Sequence, residues 1–267
     1  MHGKLDERTQ KQIESLLPDL VELANRVLMG LNPVGVSVAF DPESSIPVAA
    51  PCLGDALHVT GEARYALREA FAHLAWYREK RPEGPNEPAA VFLAGFYATA
   101  ASSCLYAAGE DVANAIVEMF EIDRQELDPE GGKQTSLQSK VGAFLLKCMP
   151  THRVSTSVVA LAESVEWRNT IKWRNRWVHE QASVRGLGIV YEREKRWKRC
   201  VGADGSQGFI LPFGGGDLQE YCVDDVLGFV KCAYSEFVRT FSEVVTCYEG
   251  IVSNARIRFS AGASSTT

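Results

Sequence analysis

The hydrophobic pattern of this chain is helical over most of its length. Apolar residues recur at Ile13, Leu16, Leu17, Leu20, Leu23, Ala24, Val27 and Leu28, which predicts a helix over 6–31 that Pro18 kinks or splits. A second stripe, at Ala66, Leu67, Ala70, Phe71, Leu74 and Ala75, predicts a helix over 61–80. Ala89 to Ala108 is almost wholly apolar and rich in Ala, as suits a central helix whose neighbours approach closely. A further helix is expected over 111–122, with Asp111 placed well at its positive N-terminus. Two more follow, over 136–148 and 151–185. Pro150 stops the first, and Thr151 is the expected cap of the second. The last apolar helix runs over 217–252, from Val223 and Val226 to Val244 and Val245.

Four stretches break this period. Residues 32–60 hold four prolines and read as a long irregular connection, with an extended piece over 34–40. Residues 81–88 hold three prolines and a glycine, and Pro129–Lys133 is a polar turn. From Leu187 to Phe213 the pattern partly alternates around a Gly-rich turn, G-A-D-G-S-Q-G, the signature of a β-hairpin. The expected fold is therefore all-α, a bundle of six to seven helices with a β-hairpin inserted before the last one. Residues 1–88 form an N-terminal helical extension, 89–255 the bundle proper, and 256–267 a disordered tail.

Composition adds limits. The 267 residues, 46% hydrophobic and 23% charged, suit an ordinary globular chain, and no apolar run approaches a membrane span. Met1 to Glu14 is polar and charged, so no secretory signal is expected and the expected compartment is the cytoplasm. The seven cysteines are scattered and never spaced C-x-x-C, which predicts buried free thiols, with no metal, cofactor or disulfide framework.

Charge changes the picture more. The net charge is −6, yet Arg153 to Arg199 holds eleven Lys/Arg against five Asp/Glu. A basic region on an acidic body is the asymmetry expected when one face meets a polyanion, although a solvated charged helix and hairpin would show it too.

Within that region Trp167 to Glu180 reads W-R-N-T-I-K-W-R-N-R-W-V-H-E. At about 100° per residue, Trp167, Ile171 and Val178 form the expected core seam. Arg168, Lys172, Asn175 and His179 form a polar stripe beside it, without a carboxylate. Arg174 falls on the far side of the seam, about 140° from His179. Such a set suits phosphodiester cleavage without a metal. An imidazole can move a proton at a ribose 2′-hydroxyl or a leaving 5′-oxygen, and a guanidinium can hold two phosphate oxygens. Arg168, Lys172 and Arg176 are the candidate RNA-binding cations. The tryptophans suit core packing better than base stacking. A solvated structural helix, or a non-catalytic module binding RNA or a partner protein, would carry the same residues. His2, His58, His73 and His152 have no partner at catalytic spacing and receive no role.

Arg174, Asn175 and His179, in the order R-N-x-x-x-H late in a helix of an all-α chain, resemble the signature of the HEPN superfamily (higher eukaryotes and prokaryotes nucleotide-binding domains). The resemblance covers about 89–252. It implies a metal-independent endoribonuclease without cofactor, with these three residues catalytic. It also implies a homodimer whose motif helices face each other, so that an arginine of one chain can serve the histidine of the other. Toxins and anti-phage effectors, some with an antitoxin or defence-system partner, are common in that family. Some relatives are controlled by modification of a tyrosine two residues after the histidine; here that position is Gln181.

Overall fold

The computed structural model describes residues 5–30, 40–41, 43–80, 87–127, 136–175, 198–201, 207–211 and 221–263. They are overwhelmingly helical. The α-helices among them are α1 (Glu7–Ser15), α2 (Val21–Asn25), α3 (Ala49–Lys80), α4 (Glu87–Met119), α5 (Leu137–Cys148), α6 (Arg153–Glu163), α7 (Val165–Asn175) and α8 (Val223–Ala263). The all-α expectation stands, but helices merge and divide differently from the pattern.

Some of the differences have a local cause. Around Pro18 the first stretch divides into α1 and α2, and α2 continues as a π-helical turn over Arg26–Gly30. The Asp6 carboxylate caps α1 by accepting from the Thr9 amide at 2.8 Å. Helix α3 begins at Ala49, twelve positions before the expected start. Pro51 does not prevent this, because it lies in the first turn, where a missing N–H breaks no helical bond. His58, three positions before the expected start, is consequently mid-helix and exposed.

The two helices expected over 89–122 are one, α4, which runs through Gly109. That glycine is needed for contact, since a Cβ there would meet the Gln138 side chain at 2.6 Å. Asp111 therefore lies in a helix interior and not at an N-terminus. The expected helix over 151–185 breaks at Ser164, whose ψ of 135° is extended, and its first part is capped by His152 instead of Thr151. Helix α8 continues to Ala263, into the segment expected to be disordered.

Short antiparallel strands occupy Lys198–Val201 (β1), Gln207–Leu211 (β2) and Tyr221–Cys222 (β3), in the order β1-β2-β3, with Arg199 opposite Phe209 and Leu211 opposite Tyr221. The turn and flanking residues that the hairpin expectation also needs lie outside the described residues, as do 31–39 with most of the expected extended piece, and Pro129–Lys133.

The chain forms two compact units. One comprises Met1–Leu17, Glu62–Cys104 and Val165–Tyr234; the other comprises Pro18–Gly61, Leu105–Ser164 and Ser235–Thr267. The first has a core of Ala66, Leu67 and Ala70 on α3, Ala94, Ala98 and Ala101 on α4, Trp167 and Trp173 on α7, and Val226, Leu227 and Val230 on α8. The run of fully buried alanines on α4 leaves room for bulky neighbours. The second unit packs Leu53, Leu105, Ile116, Val141, Leu145, Val154, Phe237, Phe241 and Tyr248. There Arg26 ties the π-helical turn to α8. Its guanidinium donates to both Glu249 carboxylate oxygens (3.0 and 2.7 Å), to Ser242 Oγ (3.1 Å) and to Thr246 Oγ1 (2.8 Å). Among the described residues no helix is long and apolar enough to cross a membrane.

Candidate nucleic-acid interface

Helix α7 positions the described part of the motif. Its buried face is Trp167, Thr170 and Trp173, spaced by three, with Ile171 only half-buried. This corrects the seam expected through Trp167 and Ile171; Val178 lies outside the described residues. Thr170 can be fully buried because its hydroxyl donates to the Glu166 carbonyl at 2.8 Å, which removes the cost of hiding it from water. Trp173 is held more specifically. Its indole N–H donates to Thr99 Oγ1 of α4 at 3.0 Å, and that hydroxyl donates onward to the Gly95 carbonyl at 2.9 Å. The Trp173 ring also meets Phe229 of α8 edge to face, with centroids 6.3 Å apart. A polar relay and an aromatic contact thus fix the roll of α7 about its axis.

Fixing the roll decides what faces water. Arg168, Lys172 and Asn175 are exposed along one side, the stripe that the spacing predicts. Arg174 is half-buried at the flank of the packed face, and its Nη1 donates to Asn175 Oδ1 at 3.0 Å. The guanidinium is thereby turned from its own position on the wheel toward the exposed stripe. This bond occupies the acceptor end of Asn175 and leaves its NH₂ end a donor. The Arg174 Nε is buried, so the guanidinium and the Asn175 amide would offer a phosphate oxygen pair one donor group each. Arg176 and His179 lie outside the described residues, so the structure brings together Arg168, Lys172, Arg174 and Asn175 of the six predicted site residues.

The sequence reading missed Thr99, the residue that receives Trp173. A hydroxyl in an otherwise Ala-rich buried helix was the available signal. Two histidines without a role by spacing are also placed: His152 caps α6, and His73 is buried and stacks on Tyr97 at 5.6 Å.

The cysteines differ from expectation as well. Of the five described free thiols, Cys52, Cys104 and Cys247 are half-buried, and Cys148 and Cys232 are exposed. Burial pushes the first and third up. It pushes Cys104 to about 11, with help from the neighbouring Glu62 carboxylate, so these three stay protonated at neutral pH and are poor nucleophiles. Among the described residues no group of three or more His, Cys, Asp or Glu could hold a metal ion.

Comparisons of the chain with protein-family models, with curated proteins and with solved structures return no match.

Proposed function

We propose that this chain is a metal-independent endoribonuclease of the HEPN type. In this reading His179 acts as general acid and base. It takes the proton of a ribose 2′-hydroxyl as that oxygen attacks the adjacent phosphorus, and a proton is returned to the 5′-oxygen whose bond to phosphorus breaks. Arg174 holds the charge that grows on the non-bridging oxygens, and Asn175 orients the substrate or the imidazole. Arg168, Lys172 and Arg176 grip the neighbouring phosphates. The observation that supports the reading best is the Arg174–Asn175 bond, which turns the guanidinium toward the stripe that His179 would continue.

The same reading includes a homodimer through the motif helix, a second chain's Arg174 serving His179, and a hairpin over 187–213 that extends the basic surface. It places the protein in the cytoplasm as a toxin or anti-phage effector, with or without an antitoxin or defence-system partner.

The test is cleavage of single-stranded RNA by the purified chain in EDTA. His179→Ala and Arg174→Ala are each expected to lower the rate by at least ~10²-fold at an unchanged unfolding midpoint. Cleavage unaffected by either substitution sinks the catalytic assignment. The exposed cations Arg168 and Lys172 favour a second reading, a non-catalytic module. It predicts salt-sensitive RNA binding without cleavage under any condition.

A further inference from the structure

Helix α6 is closed at its N-terminus by an unusual group. The His152 backbone is extended (φ −72°, ψ 139°), and its Nδ1 accepts from the Val154 amide at 3.3 Å. The ring stands at 90° to Phe120, with centroids 5.5 Å apart. Helices α1 and α5 are capped by the oxygens of Asp6 and Ser136. An imidazole nitrogen accepts only while it carries no proton. Protonation at Nδ1 would set an N–H against the Val154 N–H and add a positive charge at the positive end of a helix.

The surrounding charges offer little compensation. On its own helix the next residue is Arg153, an exposed cation whose Nε lies 3.5 Å from Glu243 Oε2 of α8. Glu118 and Glu121, close to Phe120 in the chain, are engaged by Arg124 (2.9 Å) and by the Ser44 hydroxyl (2.8 Å). Among the described residues no carboxylate lies within ion-pair distance of the imidazole.

We propose that His152 is an acid-labile cap, a pH-sensitive device that holds the first turn of α6 closed while the imidazole is neutral and releases it on protonation. That turn carries the buried Val154 and Ser155, and Ser157 just beyond it accepts from Thr240 of α8 at 3.4 Å. Release therefore loosens the start of α6 and its hold on α8. The proposal stands apart from the ribonuclease reading.

Nitrogen-15 NMR on the full chain tests it, titrating from about pH 8 to about pH 5, across the range where histidines change charge. In the wild type, protection of the Val154 amide, corrected for its intrinsic exchange rate, falls by about fivefold with the same midpoint as the His152 ring, as expected for losing a cap. In His152→Asn, whose side-chain oxygen caps at any of these pH values, the protection persists. Val154 protection that stays constant through the titration of His152, or that is lost in the same way in His152→Asn, overturns the proposal.

Discussion

At the scale of single residues, glycines inside helices separate packing from propensity. A Cβ at Gly54, within α3, would meet nothing within 4 Å, whereas one at Gly109 would strike Gln138 at 2.6 Å. Gln138 uses its Nε2 to donate to the Tyr106 carbonyl at 2.9 Å, so moving it costs that bond. Gly54→Ala is expected to stabilise the fold by about 0.5–1 kcal/mol, read from urea unfolding. Gly109→Ala gains nothing or destabilises, since the lost hydrogen bond, about 0.5–1.5 kcal/mol, offsets the same propensity gain.

Asp111 is a second case. Burial, then repulsion from Asp55 and Glu110, raises its carboxyl above the usual 3.8. The folded state therefore holds the proton more tightly than the unfolded one. Stability falls as pH rises from the unfolded value through the folded one, and the penalty is complete above the folded value. Asp111→Asn should raise the thermal midpoint at pH 7, with the advantage vanishing below about pH 3.8. An advantage that persisted into strong acid would point to something other than charge. Neither effect was legible in sequence, because both depend on which side chains arrive from other helices.

At the scale of elements, α7 shows how much the pattern reveals. The exposed stripe of Arg168, Lys172 and Asn175 follows directly from spacing. The packed face does not, because Thr170 is polar by type and becomes a core residue only by bonding its own helix at Glu166. Ser164 marks a similar limit. Serine is tolerated within helices and at their ends alike, so nothing local announced that α6 and α7 would separate there. Conversely the pattern divides 89–108 from 111–122, and α4 runs through both, with Gly109 packed against Gln138.

The relay from Trp173 to Thr99 is the most specific anchor of α7 and can be measured as a pair. Trp173→Phe and Thr99→Val should each cost about 1–2 kcal/mol in chemical unfolding. Their sum should exceed the double mutant's cost, because the second substitution removes a partner already lost. Full additivity would show that the 3.0 Å contact carries no coupling.

At the scale of the whole molecule, the all-α class was legible from apolar periodicity alone, and the division of the chain's segments between two units was not. Each unit gathers segments far apart in the chain, and α3, α4 and α8 contribute residues to both. Such an arrangement leaves no linker for the sequence to display. The functional reading also depends on the whole, since a +6 balance over Arg153–Arg199 stands out only against a chain of net −6. Of the candidate site, the stripe was legible and the turn of Arg174 toward Asn175 was not, because wheel arithmetic places backbones and says nothing about where a long guanidinium reaches.

In the proposed function, Arg174, Asn175 and His179 cleave RNA through its own 2′-hydroxyl. The direct measurement is analysis of the fragment ends produced from a defined single-stranded RNA in EDTA. The expected products are 2′,3′-cyclic phosphate and 5′-hydroxyl ends from the wild type, and none from His179→Ala or from a substrate carrying 2′-O-methyl at the cleaved position. Fragments bearing 5′-phosphate, or equal cleavage of the 2′-O-methyl substrate, would contradict it.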